Sequence, residues 1–224
     1  MPNTSGKAYG LTTLCPIING SNDQQSFSSL TREYLQEMPT LAASPMAKVP
    51  NTYLCRFFIL NDAIFEAYPH KLDHLKSSYL VFTSNFHGDR DAYLRGMWNA
   101  ISGDIKKIWQ YCVGFNANDP NTFVEYIHKC QVKTTYYFNG STDDSLEEQL
   151  KSLYLKQEFS DFVYAHQGDT DIDLLLAFKE FVSRTKPQIL SFPTWKAGAE
   201  TLDDLVYHGP SPEYTQADNQ LVTS

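Results

Sequence analysis

The segment Thr52–Leu60, TYLCRFFIL, constrains the fold of this chain more than any other. Aromatic and other β-prone side chains dominate it, so it reads as a strand. Side chains alternate across a strand, which puts Tyr53, Cys55, Phe57 and Ile59 on one face and Leu54, Arg56, Phe58 and Leu60 on the other. Both faces are apolar, so a sheet built on this strand needs cover on both sides. Arg56 stands out, because an unpaired guanidinium between Leu54 and Phe58 would be costly to bury.

The segments around it alternate in period. LTTLCPI (11–17) reads as a strand ended by Pro16 and the Asn19-Gly20 turn, and residues 26–38 carry Phe27, Leu30, Tyr34, Leu35 and Met38 at helical spacing. Residues 78–85 read as another strand. From Asp89 the positions Leu94, Met97, Ile101, Ile105, Ile108 and Cys112 predict a long helix, kinked at Ser102-Gly103. A shorter helix over 121–129, capped by Asp119 with Pro120 at its first position, leads to an expected strand Val132–Phe138 that stops at Asn139-Gly140. The order βαββαβ describes an α+β, ferredoxin-like antiparallel sheet with both helices on one face, over residues 8–140. Residues 141–224 then supply two helices, 145–164 and 171–184, and an irregular tail, expected to pack on the same domain.

Composition narrows the function. With 42% hydrophobic residues over 224 positions the chain can fill a core, and its net charge of -8 with no basic run argues against nucleic acid or an anionic membrane surface as partner. No apolar run is long enough to span a bilayer, and the N-terminus lacks the layout of a signal peptide, which leads to the expectation of a cytoplasmic protein. Cys15, Cys55, Cys112 and Cys130 lack CxxC spacing and read as buried free thiols.

Three sets of blocks, GLTTLCPIINGS with SPMAKVPNTYLCRFFIL, SSYLVFTSNFHGDRDAYL with IKKIWQYCVGF, and TTYYFNGSTDDSLEEQL, span residues 10–160 or so. Together they resemble a widespread group of largely uncharacterised proteins related to the dimeric α/β-barrel superfamily. Antibiotic-biosynthesis monooxygenases, dye-decolourising peroxidases and chlorite dismutases belong to that superfamily. The resemblance implies the ferredoxin-like fold, a homodimer formed through the sheet face and, if the protein is an enzyme, oxidoreductase chemistry. This chain departs from the group at His87, where an acid is usual, at Cys55, where a small residue is usual, and at Tyr111, where His is expected.

Candidate site residues follow from chemistry. In SNFHGDRD (84–91), Asn85 and Gly88 suit a turn and Asp89 a helix cap, while the alternative has Asn85, His87 and Asp89 lining a pocket mouth, with His87 as a base. Arg56 either forms a structural ion pair or lies on a partly wet face, or it binds the anionic group of a ligand in an apolar cavity. The Tyr136-Tyr137-Phe138 run reads as core packing, with Tyr137 added to the ligand contacts. His70 and His74, beside Asp73, lack a third zinc ligand at motif spacing. His128 and His166 are the histidines that could ligate haem. The expected function is binding or, if the protein is an enzyme, oxidising a small apolar or aromatic molecule in a pocket between sheet and helices. The alternative is a non-catalytic dimerisation module.

Overall fold

The computed structural model describes residues 3–62, 75–141 and 143–199. It is an α+β protein built on a four-stranded antiparallel sheet. The elements that position the site are β1 (Thr4–Ser5), β2 (Ala8–Pro16), a small hairpin of β3 (Ser21–Asn22) and β4 (Gln25–Ser26), α1 (Phe27–Glu37), β5 (Thr52–Leu60), β6 (Tyr79–His87), α2 (Arg90–Trp109) and α3 (Pro120–Cys130). Strand order is β1-β2-β6-β5. Because β6 runs antiparallel to both β2 and β5, those two are parallel to each other, and α1 connects them across the intervening strand.

Period-two alternation decides which residues meet the helices. Leu11 and Cys15 of β2, Leu80, Phe82 and Phe86 of β6, and Cys55, Phe57 and Ile59 of β5 face α1, α2 and α3. The space between the layers is filled. Trp109 sits at its centre with no exposed surface, edge-on to Phe57 at 5.7 Å, Phe82 at 5.6 Å and Phe123 at 5.5 Å between centroids.

The helix ends follow their capping chemistry. Ser26 accepts from Ser29 N–H at 3.2 Å, Asp89 accepts from Ala92 N–H at 2.9 Å, and Asp119 forms a capping box with Thr122 ahead of Pro120. The bend in α2 falls at Ile101 (φ -140°, ψ 35°), immediately before the Ser102-Gly103 pair, and the helix stops at Trp109 rather than Cys112.

Two expectations change. First, residues 132–138 are not a strand; backbone pairing with β2 stops after the isolated bridge Thr13–Gln131 and the bond from Val132 N–H to Thr12 C=O (2.8 Å). A strand edge has one set of donors and acceptors, and here the N-terminus has taken them. Asn3 C=O accepts from Gly10 N–H (2.8 Å), the Asn3 side chain donates to Gly10 C=O (3.0 Å), and Thr4 pairs with Tyr9. An antiparallel partner continuing from Gln131 meets this occupied edge within four residues of β2 and leaves it. Second, β6 extends through His87, so His87 is a strand residue and the turn falls on Gly88 alone, whose φ of 95° favours glycine.

Contacts divide the chain into two units, 1–146 and 147–224. In the second, α4 (Leu146–Ala165) and α5 (Asp171–Thr185) share a cluster of Phe159, Phe162, Phe178 and Phe181. Lys151 is buried there, its Nζ donating to Thr185 C=O and Pro193 C=O at 2.7 Å each. No helix among the described residues is long and apolar enough to cross a membrane.

Candidate functional site

The sheet face turned away from the helices carries the first concavity. Strand register builds its floor as two cross-strand rows, Gly10–Asn85–Leu54 and Thr12–Thr83–Arg56. Thr134 and Tyr137 from the segment that leaves β2 form its wall, enclosing about 140 Å³. Glycine at position 10 is required by that wall, since a Cβ there would stand 2.7 Å from two ring carbons of Tyr137. Burial raises the Tyr137 phenol above its ordinary pKa.

Arg56 is exposed at this concavity, and its guanidinium has no hydrogen bond or ion pair among the described residues. The cost anticipated from the sequence does not arise, because the face is wet. Leu54 and Phe58, 53% and 47% exposed, lie on the same face, as does Leu14.

The second concavity, about 270 Å³, lies at the head of α2 between Pro50–Asn51 and His87–Tyr93. A register shift between Thr52 and Leu54 leaves Tyr53 as the extra residue of a bulge, which re-aims its side chain. The Tyr53 hydroxyl donates to Asp144 C=O (2.8 Å) and lies 3.0 Å from His87 Nδ1. A hydroxyl has one proton, and the carbonyl can only accept, so in this arrangement Nδ1–H donates to Tyr53 Oη. The neutral ring then carries its lone pair on Nε2, which has no hydrogen bond among the described residues. Asp89 also lines this concavity, and its carboxylate is used as the α2 cap.

The candidate residues therefore fall into two groups. Arg56, Asn85 and Tyr137 come together on the outer sheet face, while His87 and Asp89 line a separate recess. Neither concavity lies between sheet and helices, where the sequence placed the pocket; side chains fill that layer, and Arg56 and Asn85 point away from it. Tyr136 and Phe138 are not core residues but 79% and 70% exposed, because the segment forms no strand and turns Thr134 and Tyr137 to the sheet instead. Thr12, Thr83 and Tyr53 were missed. The alternation on β2 and β6 marks the two threonines, whereas the bulge that redirects Tyr53 leaves no pattern in the sequence.

His128 Nε2 is bonded to Asp91 Oδ1 (2.8 Å) and His166 Nδ1 to Asp169 Oδ2 (2.7 Å), and neither ring lines either of these two concavities. Burial pulls the Asp91 carboxyl upward, but bonds from Arg90 and His128 outweigh it and leave a net lowering. His70, Asp73 and His74 lie outside the described residues. Among the described residues no group of three His, Cys, Asp or Glu side chains is placed to hold a metal ion. All four cysteines are free; Cys15 and Cys112 are buried, and Cys55 and Cys130 are partly buried against the core. No family model, curated protein or solved structure matches this chain.

Proposed function

We propose that this chain is a binding protein for a small aromatic molecule bearing an anionic group, held on the outer face of its sheet. The observation that carries the reading is Arg56: a guanidinium without a partner among the described residues, beside Thr83, Asn85, Leu54 and Tyr137 at one concavity. A guanidinium takes a carboxylate in two parallel hydrogen bonds, the neighbouring amide and hydroxyls extend that recognition, and Tyr137 and Leu54 offer apolar surface to a ring. The volume of about 140 Å³ suits one small ring rather than a fused cofactor. The β2-α1-β5-β6-α2 course, with two parallel strands flanking β6, supports reading the sheet as a ferredoxin-like unit whose last strand is displaced.

Benzoate is a suitable probe, titrated by calorimetry against the full chain and Arg56→Leu. Removing one charged hydrogen-bonding partner is expected to weaken binding by roughly tenfold to a hundredfold. The melting temperature should hold, because Arg56 supports no other side chain. A lower melting temperature with unchanged benzoate binding would make Arg56 structural and end this reading.

A second reading, a dimerisation module, is favoured by one observation: Leu14, Leu54 and Phe58 leave an apolar patch on the same face. Native mass spectrometry separates the two, since a homodimer lost in Phe58→Asp but kept in Arg56→Leu assigns the face to assembly.

A further inference from the structure

The recess at the head of α2 is separate from the Arg56 concavity and larger, about 270 Å³ against about 140 Å³. Two glycines give it room. A Cβ on Gly88 would meet nothing within 4 Å, and one on Gly96 would meet only Pro50, at 3.9 Å. Gly96 lies inside α2, where glycine is among the least favourable residues, and packing does not require it there. The space it leaves belongs to the recess, which Gly96 lines.

The polar atoms left over in this lining are acceptors. Tyr53 Oη, itself held by Asp144 C=O (2.8 Å), fixes the His87 ring from Nδ1 at 3.0 Å, which leaves the lone pair on Nε2. Asp89 spends Oδ1 on the Ala92 N–H cap at 2.9 Å, and its Oδ2 has no hydrogen bond among the described residues. The Tyr93 hydroxyl is already shared with Ser84 (2.8 Å) and Thr52 (3.0 Å). Asn51 adds an amide, which can donate or accept, and no lysine or arginine lines the recess.

We infer that this recess is a second binding site, for a small primary amine whose ammonium group donates to His87 Nε2 and to the Asp89 carboxylate. An ammonium has three donors and no acceptor, which matches a lining that offers a lone pair and a carboxylate oxygen. The Asp89 charge turns an anion away, and a neutral donor leaves that charge unmatched. The positive end of α2 opposes a cation, but Asp89 and Asp91 already stand against it in the cap and first turn, and a direct bond to a carboxylate outweighs what is left. Pro50 and Ala92 offer apolar surface to the hydrocarbon part of the ligand, and the volume suits a single ring with a short arm. The site shares no residue with the Arg56 concavity, so either assignment can fail without the other.

The test titrates benzylamine into the full chain at mildly alkaline pH, where free imidazoles are neutral and the amine is protonated, and follows backbone amides in proton–nitrogen correlation spectra. Saturable shifts are expected at Asn51, Gly88, Ala92 and Gly96. His87→Leu should weaken binding about tenfold, and benzyl alcohol, the same ring with a neutral donor, should bind the wild type about tenfold more weakly than benzylamine. Gly96→Leu, which favours the helix and fills the recess, should abolish binding. Both variants are checked for folding by circular dichroism. The inference is overturned by the absence of saturable shifts at those four amides at millimolar benzylamine, by wild-type affinity in folded His87→Leu or Gly96→Leu, by benzyl alcohol binding as tightly, or by displacement of benzylamine with benzoate. The wild-type shifts and the benzyl alcohol comparison decide the matter even if a variant fails to fold.

Discussion

Replacing Trp109 by alanine is expected to destabilise the first unit by about 3–5 kcal/mol, the range for truncating a large, fully buried aromatic side chain. Trp109 is buried completely and meets Phe57 and Phe82 from two strands and Phe123 from α3, so three elements lose contact at once. Its Nε1–H also leaves the Cys15 sulfur without that donor. The surrounding rings belong to fixed strands and a capped helix, so the cavity has little means of closing. Against a domain stability of about 5–15 kcal/mol, such a loss takes a large fraction of the total. Urea unfolding followed by far-UV circular dichroism measures it directly. Leu54→Ala, on the exposed face, provides the contrast, with an expected change below about 1 kcal/mol; equal losses at both positions would contradict the assignment of inner and outer faces.

The second large effect is expected in the second unit, from Arg184→Leu. The Arg184 Nη1 group pairs with Glu158 Oε2, and the Glu158 side chain is only 2% exposed while that of Arg184 is 36% exposed. Removing the arginine leaves a buried carboxylate without its counter-charge, a change that costs about 3–5 kcal/mol when one partner of a buried pair is deleted. The asymmetry in exposure sharpens the test. In the double substitution Arg184→Leu with Glu158→Leu no charge remains to be desolvated, and most of the loss should return. Unfolding curves of the two single variants and the double variant complete the cycle. A double variant no more stable than Arg184→Leu alone would show that packing around α5, and not the stranded carboxylate, sets the cost.

Much of the architecture is legible in the chain because it rests on local patterns. The helical spacing from Leu94 to Ile108 gives α2, and Asp119-Pro120 starts α3 as its capping chemistry requires. Alternation in TYLCRFFIL separates Cys55, Phe57 and Ile59 from Leu54, Arg56 and Phe58, and the structure turns those two sets to opposite faces. The candidate site is legible only in fragments. Arg56 and Asn85 can be found as polar residues on apolar strands, but that they share one concavity depends on β5 pairing with β6 in the register that sets Arg56 opposite Thr83.

The aromatic run from Val132 to Phe138 shows where local reading ends. Its β propensity is real, but a strand needs a free edge, and Asn3 and Thr4 have taken the edge of β2 that it would use. Competition between segments about 130 positions apart leaves no local signature, since propensity describes a segment and pairing describes a partner. The sequence by itself determined the helices, the three long strands and, in β5 from Leu54 onward, which side chains turn inward, because period and capping are properties of neighbouring residues. Only the tertiary structure decided that residues 132–138 form no strand, that Tyr137 lies over Gly10, and that His87 bonds Tyr53 rather than joining Arg56. Each of these is a contact between distant segments, fixed by which hydrogen-bonding edge is free and which surface is left to cover.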